Sequence, residues 1–304
     1  MPADGPVFIA GLDRSGKTPL RALLDGLPDI TFVRRAYLWT ELYERYGDVD
    51  DDAHLASALA ALRRHPELRL SEGEVATVKA QLPRGTRGYP RLFAAAMGQV
   101  AARAGTTRWG VQEALVEVRA DAILSDDPQA RFVHLVRDPR DRHVAAYAHG
   151  GSTPWRVGVS AARWRTSALL AIDHAARHPD AYLVIRYEDL VAAPGRTLRA
   201  VCDFIGSAPT APMLDAAETW AATAGGTVGT GAAGLRPSAV RYLQRRLAEP
   251  MRAFGYDEVN TRASFTSPIA DAATRAIARA AAWQWGDRDL RPESRTGGAR
   301  KLAA

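Results

Sequence analysis

Short apolar runs alternate along the chain with segments whose apolar residues recur every three or four positions. The runs predict buried strands, and the three-to-four spacing predicts amphipathic helices between them. Strand–helix alternation of this kind predicts an α/β fold, with a parallel sheet and helices on both faces. The predicted strands are PVFIAG, ITFV, TRWGV, RFVHLV and AYLVIRY.

The predicted helices differ in how clearly the sequence marks their ends. The segment PLRALLDGL is apolar at helical spacing and is followed by Pro28. A helical insertion is predicted at about 37–104, where AYLWTELYERYG is apolar along one helical face and QLPRGTRGYP breaks the later part. The helix TLRAVCDFIG is predicted to end at Gly206.

The last third of the chain changes character twice. Residues 221–234 are small and Gly-rich, which predicts a mobile loop, and an amphipathic helix ending near Tyr256 follows. Beyond that helix, the sequence predicts an Ala-rich helix and a polar tail. We therefore predict one domain over 1–257 and an extension over 258–304.

Composition narrows the class of protein. The chain has 304 residues, of which 47% are hydrophobic and 24% charged, as expected for one large globular domain. The net charge of +6 comes almost entirely from arginine, because the only lysines are Lys17, Lys79 and Lys301. Arginine suits contacts with phosphate, although GC-rich coding would also produce an excess of alanine and arginine. The sequence contains no dense run of basic residues, so it does not predict a nucleic-acid partner.

Neither cysteine chemistry nor membrane insertion is indicated. Cys202 is the only cysteine, which excludes an intramolecular disulfide and a cysteine metal cluster, and its apolar surroundings predict a core thiol. The sequence contains no apolar run of about 18 residues and no leader pattern at its start. The expected compartment is therefore the cytoplasm.

The stretch GLDRSGKT, residues 11–18, fits the phosphate-binding pattern G-x-x-x-x-G-K-[ST] between a strand and a helix. Backbone N–H groups of such a loop converge on an anion, and the helix N-terminus adds partial positive charge. Lys17 would reach a phosphate or the transferring group. The predicted phosphate-binding residues are Arg14, Ser15, Gly16, Lys17 and Thr18.

The loop alone leaves the phosphate donor open. A kinase needs Mg²⁺, which is usually held by the loop hydroxyl and by an Asp at the end of another apolar strand. Here Arg137 precedes Asp138, and the pair Arg186-Tyr187 precedes Glu188. An arginine one or two residues before each carboxylate disfavours a Mg²⁺ site there.

Four stretches, taken in order, resemble the PAPS-dependent sulfotransferases, which use 3′-phosphoadenosine 5′-phosphosulfate (PAPS). The resemblance covers about 6–257 and implies a P-loop three-layer sandwich whose central sheet is mostly parallel. The stretches are FIAGLDRSGKTPLRALLDGLPDI, RFVHLVRDPRDRHVAAY, YLVIRYEDLVAAPGRTLRAVCDFIG and MRAFGYD.

The resemblance also implies substrates and ligands. The donor would be PAPS, leaving PAP (adenosine 3′,5′-bisphosphate) with no metal required. The acceptor would be the hydroxyl or amine of a small molecule, such as a natural product, a sugar or a lipid-linked sugar. Arg137 would bind the 3′-phosphate, and Tyr187 would contact the adenosine side. His149 would replace the usual serine, since that position is Ala145, and Arg236 is the nearest basic residue to the late Gly-rich segment.

The catalytic candidates include departures from the family pattern. Lys17 stands where the family usually has threonine, whereas Gln112 replaces a lysine. Lys17 and Arg14 are the expected stabilisers of transferring charge. The general base stays open between Glu41 and Glu113.

Several alternatives also stay open. His134 lies inside a predicted strand, which favours a core histidine. Asp138 and Asp141 are expected to pair with nearby arginines. The runner-up function is an ATP- and Mg²⁺-dependent kinase acting on a small molecule, and a third possibility is a nucleotide-gated binding protein. The acceptor and the oligomeric state are not predicted.

Overall fold

A five-stranded sheet forms the centre of the computed structural model, which describes residues 5–34, 36–261 and 267–286. The strand order is β2-β3-β1-β4-β5, and every pairing between these strands is parallel. All five predicted strands are confirmed, and so is the α/β class. The strands are β1 (Val7–Ala10), β2 (Ile30–Arg34), β3 (Arg108–Gln112), β4 (Arg131–Val136) and β5 (Tyr182–Arg186).

Helices cover both faces of the sheet because each strand is apolar on both sides. In β1, Phe8 and Ala10 belong to one core cluster, whereas Val7 and Ile9 belong to another. The second cluster includes Leu20 of α1 (Lys17–Leu24). The chain therefore forms the predicted three-layer sandwich, and the strand ends face a common edge.

Three helices fill the segment between β2 and β3, where the sequence predicts an insertion. They are α2 (Asp52–Arg64), α3 (Glu72–Ala80) and α4 (Tyr89–Ala104). Side-chain caps fix their starts: Asp51 accepts hydrogen bonds from backbone N–H groups of α2, and Ser71 forms a capping box with Glu74.

The predicted helix over AYLWTELYERYG is wrong for most of its length. Only a π-helical turn, Leu38–Leu42, forms there. Tyr37 and Glu44 flank it with positive φ angles of 47° and 60°, which α-helical geometry does not allow. The Tyr89 hydroxyl accepts the Tyr46 N–H and donates to the Gly47 carbonyl, which holds the chain in turns.

The second half of the sheet is flanked by α5 to α9. Gly206 ends α9 in the left-handed conformation, as predicted, and Cys202 is a fully buried core thiol. These helices are α5 (Ala120–Asp126), α6 (Pro139–Ala146), α7 (Pro154–Arg177), α8 (Tyr187–Ala192) and α9 (Pro194–Ile205).

The prediction of a mobile loop over 221–234 needs correction. Helix α10 (Ala211–Ala224) continues into it, and a 3-10 turn, Gly225–Thr227, follows. The carboxylate of Asp141 then accepts the backbone N–H groups of Gly229 at 2.7 Å and Gly231 at 2.5 Å. These two hydrogen bonds tie the Gly-rich segment to α6.

Two helices complete the described chain, α11 (Pro237–Ala253) and α12 (Ser267–Gly286). The Ala-rich helix of the predicted extension is thus present and packs on α7, where a Cβ on Gly158 would lie 2.2 Å from the Ala278 carbonyl oxygen. The predicted polar tail, from 287 onward, lies outside the described residues. Among the helices that the structure describes, none combines the length and apolarity needed to cross a membrane.

Candidate active site

The 11–18 loop follows β1, the middle strand, and its shape depends on left-handed backbone positions. Gly11, Arg14 and Gly16 have φ angles of 108°, 67° and 103°. A Cβ on Gly16 would lie 2.3 Å from the ring of Tyr187, so the loop needs glycine there for space as well as for φ. The next residue, Lys17, begins α1, which directs the N-terminus of that helix at the sheet edge.

Lys17 lies inside this loop and is 4% exposed. Its Nζ donates to the Gly11 carbonyl oxygen and lies 4.0 Å from a carboxylate oxygen of Asp13. Burial lowers the pKa of Lys17 to about 8, against the opposing effect of the carboxylates of Asp13 and Glu117. The amine is therefore mostly protonated at neutral pH.

The remaining loop residues divide into structural and exposed groups. The Ser15 hydroxyl donates to the Leu12 carbonyl at 2.7 Å, which closes the loop on itself. Arg14 and Thr18 are exposed, and the Thr18 hydroxyl accepts from Gln112 Nε2 at 3.1 Å. Gln112 thus contacts the loop from the end of β3.

Arg137 follows β4 and reaches back to the 11–18 loop. Its Nη1 donates to the Arg14 carbonyl at 3.2 Å, and its Nη2 donates to the Thr227 carbonyl at 2.7 Å. The side chain is 7% exposed, and its Nε is buried with no partner in the described chain. A buried donor without a partner marks a place where an anionic ligand atom can bind.

Tyr187, directly after β5, joins the same group. The Arg137 guanidinium carbon lies 4.3 Å from the centre of its ring, and its hydroxyl lies 3.0 Å from the Thr227 hydroxyl. The structure therefore brings the 11–18 loop, the ends of β4 and β5 and the turn at Thr227 into one cluster. Sequence reasoning placed all but Thr227 at this edge.

The arginine-rich start of α6 is only partly as predicted. Asp138 pairs with Arg140 at 2.5 Å and also caps α6 by accepting the Arg140 N–H. Asp141, expected to pair with an arginine, instead accepts the two glycine N–H groups described above. The Asp141 carboxylate can reach these N–H groups because the Gly-rich segment passes close to the Arg140–Asp141 backbone.

Glu113 follows β3 and is 1% exposed. Its Oε1 accepts from the Thr40 backbone N–H at 2.6 Å and the Thr40 hydroxyl at 2.7 Å, and its Oε2 is buried without a partner in the described residues. Burial raises the pKa of Glu113 to about 7, although the hydrogen bonds from Thr40 oppose the rise. A carboxyl of this kind can accept a proton near neutral pH.

Comparison with known proteins identifies the family of this chain. The model of the sulfotransferase family matches residues 6–210, which is more than half of the chain. The chain belongs to the sulfotransferase family. Among curated protein sequences, none matches significantly.

Solved structures of sulfotransferases resemble this one in fold. The mouse sulfotransferase SULT7A1, complexed with PAP, is 12% identical, with a TM-score of 0.50 and coverage of 91% of this chain and 89% of its own. The sulfotransferase domain of the Synechococcus PCC 7002 olefin synthase is 21% identical, with a TM-score of 0.48 and coverage of 91% and 94%. Sulfotransferase STF9 from Mycobacterium avium is 15% identical, with a TM-score of 0.48 and coverage of 86% and 79%.

Three predicted residues of the sulfotransferase site are exposed and outside the cluster's described contacts. Glu41 lies on the π-helical turn, His149 in the turn after α6, and Arg236 directly before α11. Their roles stay predictions. Of the two base candidates, Glu113 has the buried, hydrogen-bonded setting.

Three aromatic residues outside the strands contribute to the core. Trp39, Tyr89 and Trp164 are buried, and Trp39 stacks edge-on against Phe8 of β1. Trp155 is 41% exposed.

Sequence reasoning missed a buried polar network beneath the 11–18 loop of the sulfotransferase. Glu117, fully buried, accepts the Gly11 N–H at 3.2 Å and a hydrogen bond from the Ser167 hydroxyl. His134 Nε2 lies 3.2 Å from Ser167 Oγ, and its Nδ1 lies 2.6 Å from the Tyr182 hydroxyl. No motif marks Glu117, because the network exists only through long-range contacts.

His134 is the predicted core histidine. Burial lowers its pKa to about 4, so the ring is neutral at physiological pH. Its two hydrogen-bond partners then fix the orientation of the ring inside β4.

Proposed function

We propose that this sulfotransferase moves a sulfuryl group from PAPS to a hydroxyl or amine of a small-molecule acceptor. The environment of Arg137 is the observation on which the proposal rests. Its guanidinium lies against the 11–18 loop with a buried, unpartnered Nε, beside the aromatic ring of Tyr187. A nucleotide with phosphate at both the 5′ and 3′ positions needs two anion sites close together, and Arg137 supplies the second beside the loop.

The 11–18 loop is proposed to hold the 5′-phosphosulfate. Backbone N–H groups near the start of α1 and the exposed Arg14 and Thr18 are available for anionic oxygens. Lys17 supplies a buried positive charge directly in the loop. Arg137 and Tyr187 would take the 3′-phosphate and the adenosine side, with His149 and Arg236 as additional candidates.

Transfer is proposed to proceed by direct displacement. Glu113 accepts the acceptor proton while the acceptor oxygen or nitrogen forms a bond to sulfur. The bond from sulfur to the bridging oxygen breaks, and its electron pair stays on the 5′-phosphate of PAP. Lys17 and Arg14 stabilise that developing negative charge.

The Mg²⁺-dependent kinase alternative has less support. The two carboxylates that the sequence offers for Mg²⁺ already have partners. Asp138 pairs with Arg140, and Glu188 accepts the Asp138 N–H and the Tyr256 hydroxyl. The comparisons also favour sulfuryl transfer in general, through the family match.

Calorimetry with two nucleotides tests the donor. PAP is expected to bind at least about tenfold tighter than ADP, with the same affinity whether Mg²⁺ or EDTA is present, because one charge-assisted contact contributes about that much. Metal-dependent preference for ADP or ATP would support the kinase instead. Conversion of radiolabelled PAPS to PAP in the presence of mixed phenol and sugar acceptors would then test transfer.

A further inference from the structure

Two arginines on the α7 side of the 11–18 loop, Arg142 and Arg163, form no ion pair with a carboxylate of the described residues. Arg142 of α6 is 3% exposed, and its Nε donates to the Asp13 carbonyl at 3.0 Å while its Nη1 donates to the Ser160 hydroxyl at 2.8 Å. Its Nη2 makes no hydrogen bond within the described chain. Both acceptors are neutral, so the positive charge of this buried guanidinium is not neutralised by them.

Arg163 is the second of these residues. It takes part in no ion pair or hydrogen bond among the residues that the structure describes, and its Nε is buried without a partner. Ser160, Arg163 and Ser167 recur at three- and four-residue spacing, so they share one face of α7. Ser160 contacts Arg142 on that face, and Ser167 contacts the Glu117 carboxylate beneath Gly11.

Both arginines interact electrostatically with Lys17 of the 11–18 loop. Burial, and then the charge of Arg163, lowers the pKa of Arg142 to about 10, and both arginines also act to lower the pKa of Lys17. The carboxylate of Asp13, whose side chain is 58% exposed, ion-pairs with Lys17 and not with either arginine. Buried like charges are unfavourable until an anion binds between them.

Space exists beside Arg142 for part of a ligand. A cavity with room for about one water molecule lies between the 11–18 loop and α7, and Ser15, Arg137, Arg142 and Trp164 line it. One oxygen atom of a bound oxyanion would fill that space.

From this arrangement we infer that Arg142 and Arg163 form an oxyanion subsite next to the 11–18 loop. It takes a sulfonate, sulfate, phosphate or carboxylate group in addition to the two phosphates of PAP. This inference rests on the proposed use of the loop for PAPS. The oxyanion has two possible sources, the sulfonate of the donor or an anionic group on the acceptor.

Calorimetry with inorganic sulfate tests the subsite on protein saturated with PAP, with chloride keeping the ionic strength constant. The wild type is expected to bind one sulfate. Arg163→Gln, which loses no described contact, should weaken that binding by at least about tenfold. Arg165→Gln is the matched control: it removes the same charge from the same helix, about 200° around from Arg163, and should change the affinity less than about twofold.

Further titrations distinguish the two possible sources of the oxyanion and show which results would contradict the inference. If a non-hydrolysable PAPS analogue in place of PAP abolishes sulfate binding, the donor sulfonate occupies the subsite; if sulfate still binds, the subsite serves the acceptor. Sulfate binding that is absent, or equally weakened by Arg163→Gln and Arg165→Gln, would overturn the inference. So would binding that depends on Lys17 alone, measured with Lys17→Ala. Failure of PAP to bind in the first step would refute the proposed function separately, because sulfate can still be titrated into the nucleotide-free variants.

Discussion

The guanidinium carbon of Arg137 lies 4.3 Å from the centre of the Tyr187 ring, although 50 residues separate the two in sequence. The two residues follow neighbouring parallel strands, β4 and β5. Stacking orients the guanidinium, which also donates to the carbonyls of Arg14 and Thr227. One residue thus connects the 11–18 loop, the end of β4 and the Gly-rich segment.

Replacing Arg137 tests which phosphate it binds. Arg137→Ala should weaken PAP binding by about 1.5–3 kcal/mol, because a charge-assisted contact is lost. The same change should affect AMP, which has no 3′-phosphate, far less. Calorimetry on both nucleotides measures the ratio of affinities.

Arg245→Ala, which removes an exposed arginine of α11, is the charge control and should leave both affinities unchanged. Equal weakening of PAP and AMP by Arg137→Ala would mean that Arg137 is structural or binds the 5′ side.

Lys17 is predicted to act in the transition state more than in binding. Lys17→Ala should lower turnover by roughly 10²-fold or more, because the charge that stabilises the leaving oxygen is lost. PAP affinity should fall by a smaller factor. Turnover of PAPS and calorimetry with PAP separate the two effects.

Lys79→Ala serves as the control, because Lys79 is an exposed lysine of α3. Unchanged turnover with weaker PAP binding in Lys17→Ala would make Lys17 a ground-state ligand only.

The rate of transfer should depend on pH in a bell-shaped manner. Burial raises the pKa of Glu113 to about 7, so the base is lost as the pH falls through 7. Burial lowers the pKa of Lys17 to about 8, so the cation is lost as the pH rises through 8. Rates of PAPS turnover between pH 5 and 10, roughly, should therefore peak between these two values.

Glu113→Gln should lower the rate by about 10²–10⁴-fold and remove the acidic limb. Glu41→Gln is the matched comparison, because it makes the same change at the exposed candidate. If Glu41→Gln instead removes the acidic limb, the base is Glu41.

The 11–18 loop should not tolerate a side chain at Gly16. Gly16→Ala combines a left-handed φ with a Cβ placed 2.3 Å from the Tyr187 ring, and should destabilise the protein by about 1–3 kcal/mol. PAP binding should weaken as well. Urea unfolding and calorimetry measure the two effects.

Gly98→Ala provides the opposite expectation within the same protein. Gly98 lies inside α4 with no atom within 4 Å of its Cβ position, so alanine there should stabilise by about 0.5–1 kcal/mol. If Gly16→Ala matched Gly98→Ala, the loop would not need its present shape.

Local patterns in the sequence were sufficient to predict the sheet and to place the candidate anion-binding residues at its edge. Apolar runs predict β1 to β5 because buried parallel strands are apolar on both faces. The 11–18 loop and Arg137 follow from motifs that lie next to strand ends, and parallel strands bring such ends to one edge. Gly206 as a helix terminus and His134 as a core residue also depend on local context.

Tertiary structure decided the features that depend on long-range contacts. Periodicity predicted a full helix after Tyr37, but left-handed residues and the Tyr89 hydroxyl fix a turn instead. Composition predicted a mobile loop near Thr227, yet hydrogen bonds to Asp141 tie that segment to α6.

The burial of charged groups at the site also depends on long-range contacts. Glu113 and Glu41 are both carboxylates in the sequence, but Glu113 is buried in the fold and Glu41 is exposed. Burial raises the pKa of Glu113 to about 7. Glu117 lies in no recognisable motif, and although Arg142 belongs to the stretch RDPRDR, its buried contact with the loop is not visible in the sequence. Their contacts with Gly11 and Asp13 span more than 100 residues. The sequence by itself determined which strands form and which candidate anion-binding groups stand at their ends, because those signals are local. Packing alone decided which charges are removed from water, since desolvation depends on neighbours that are distant along the chain.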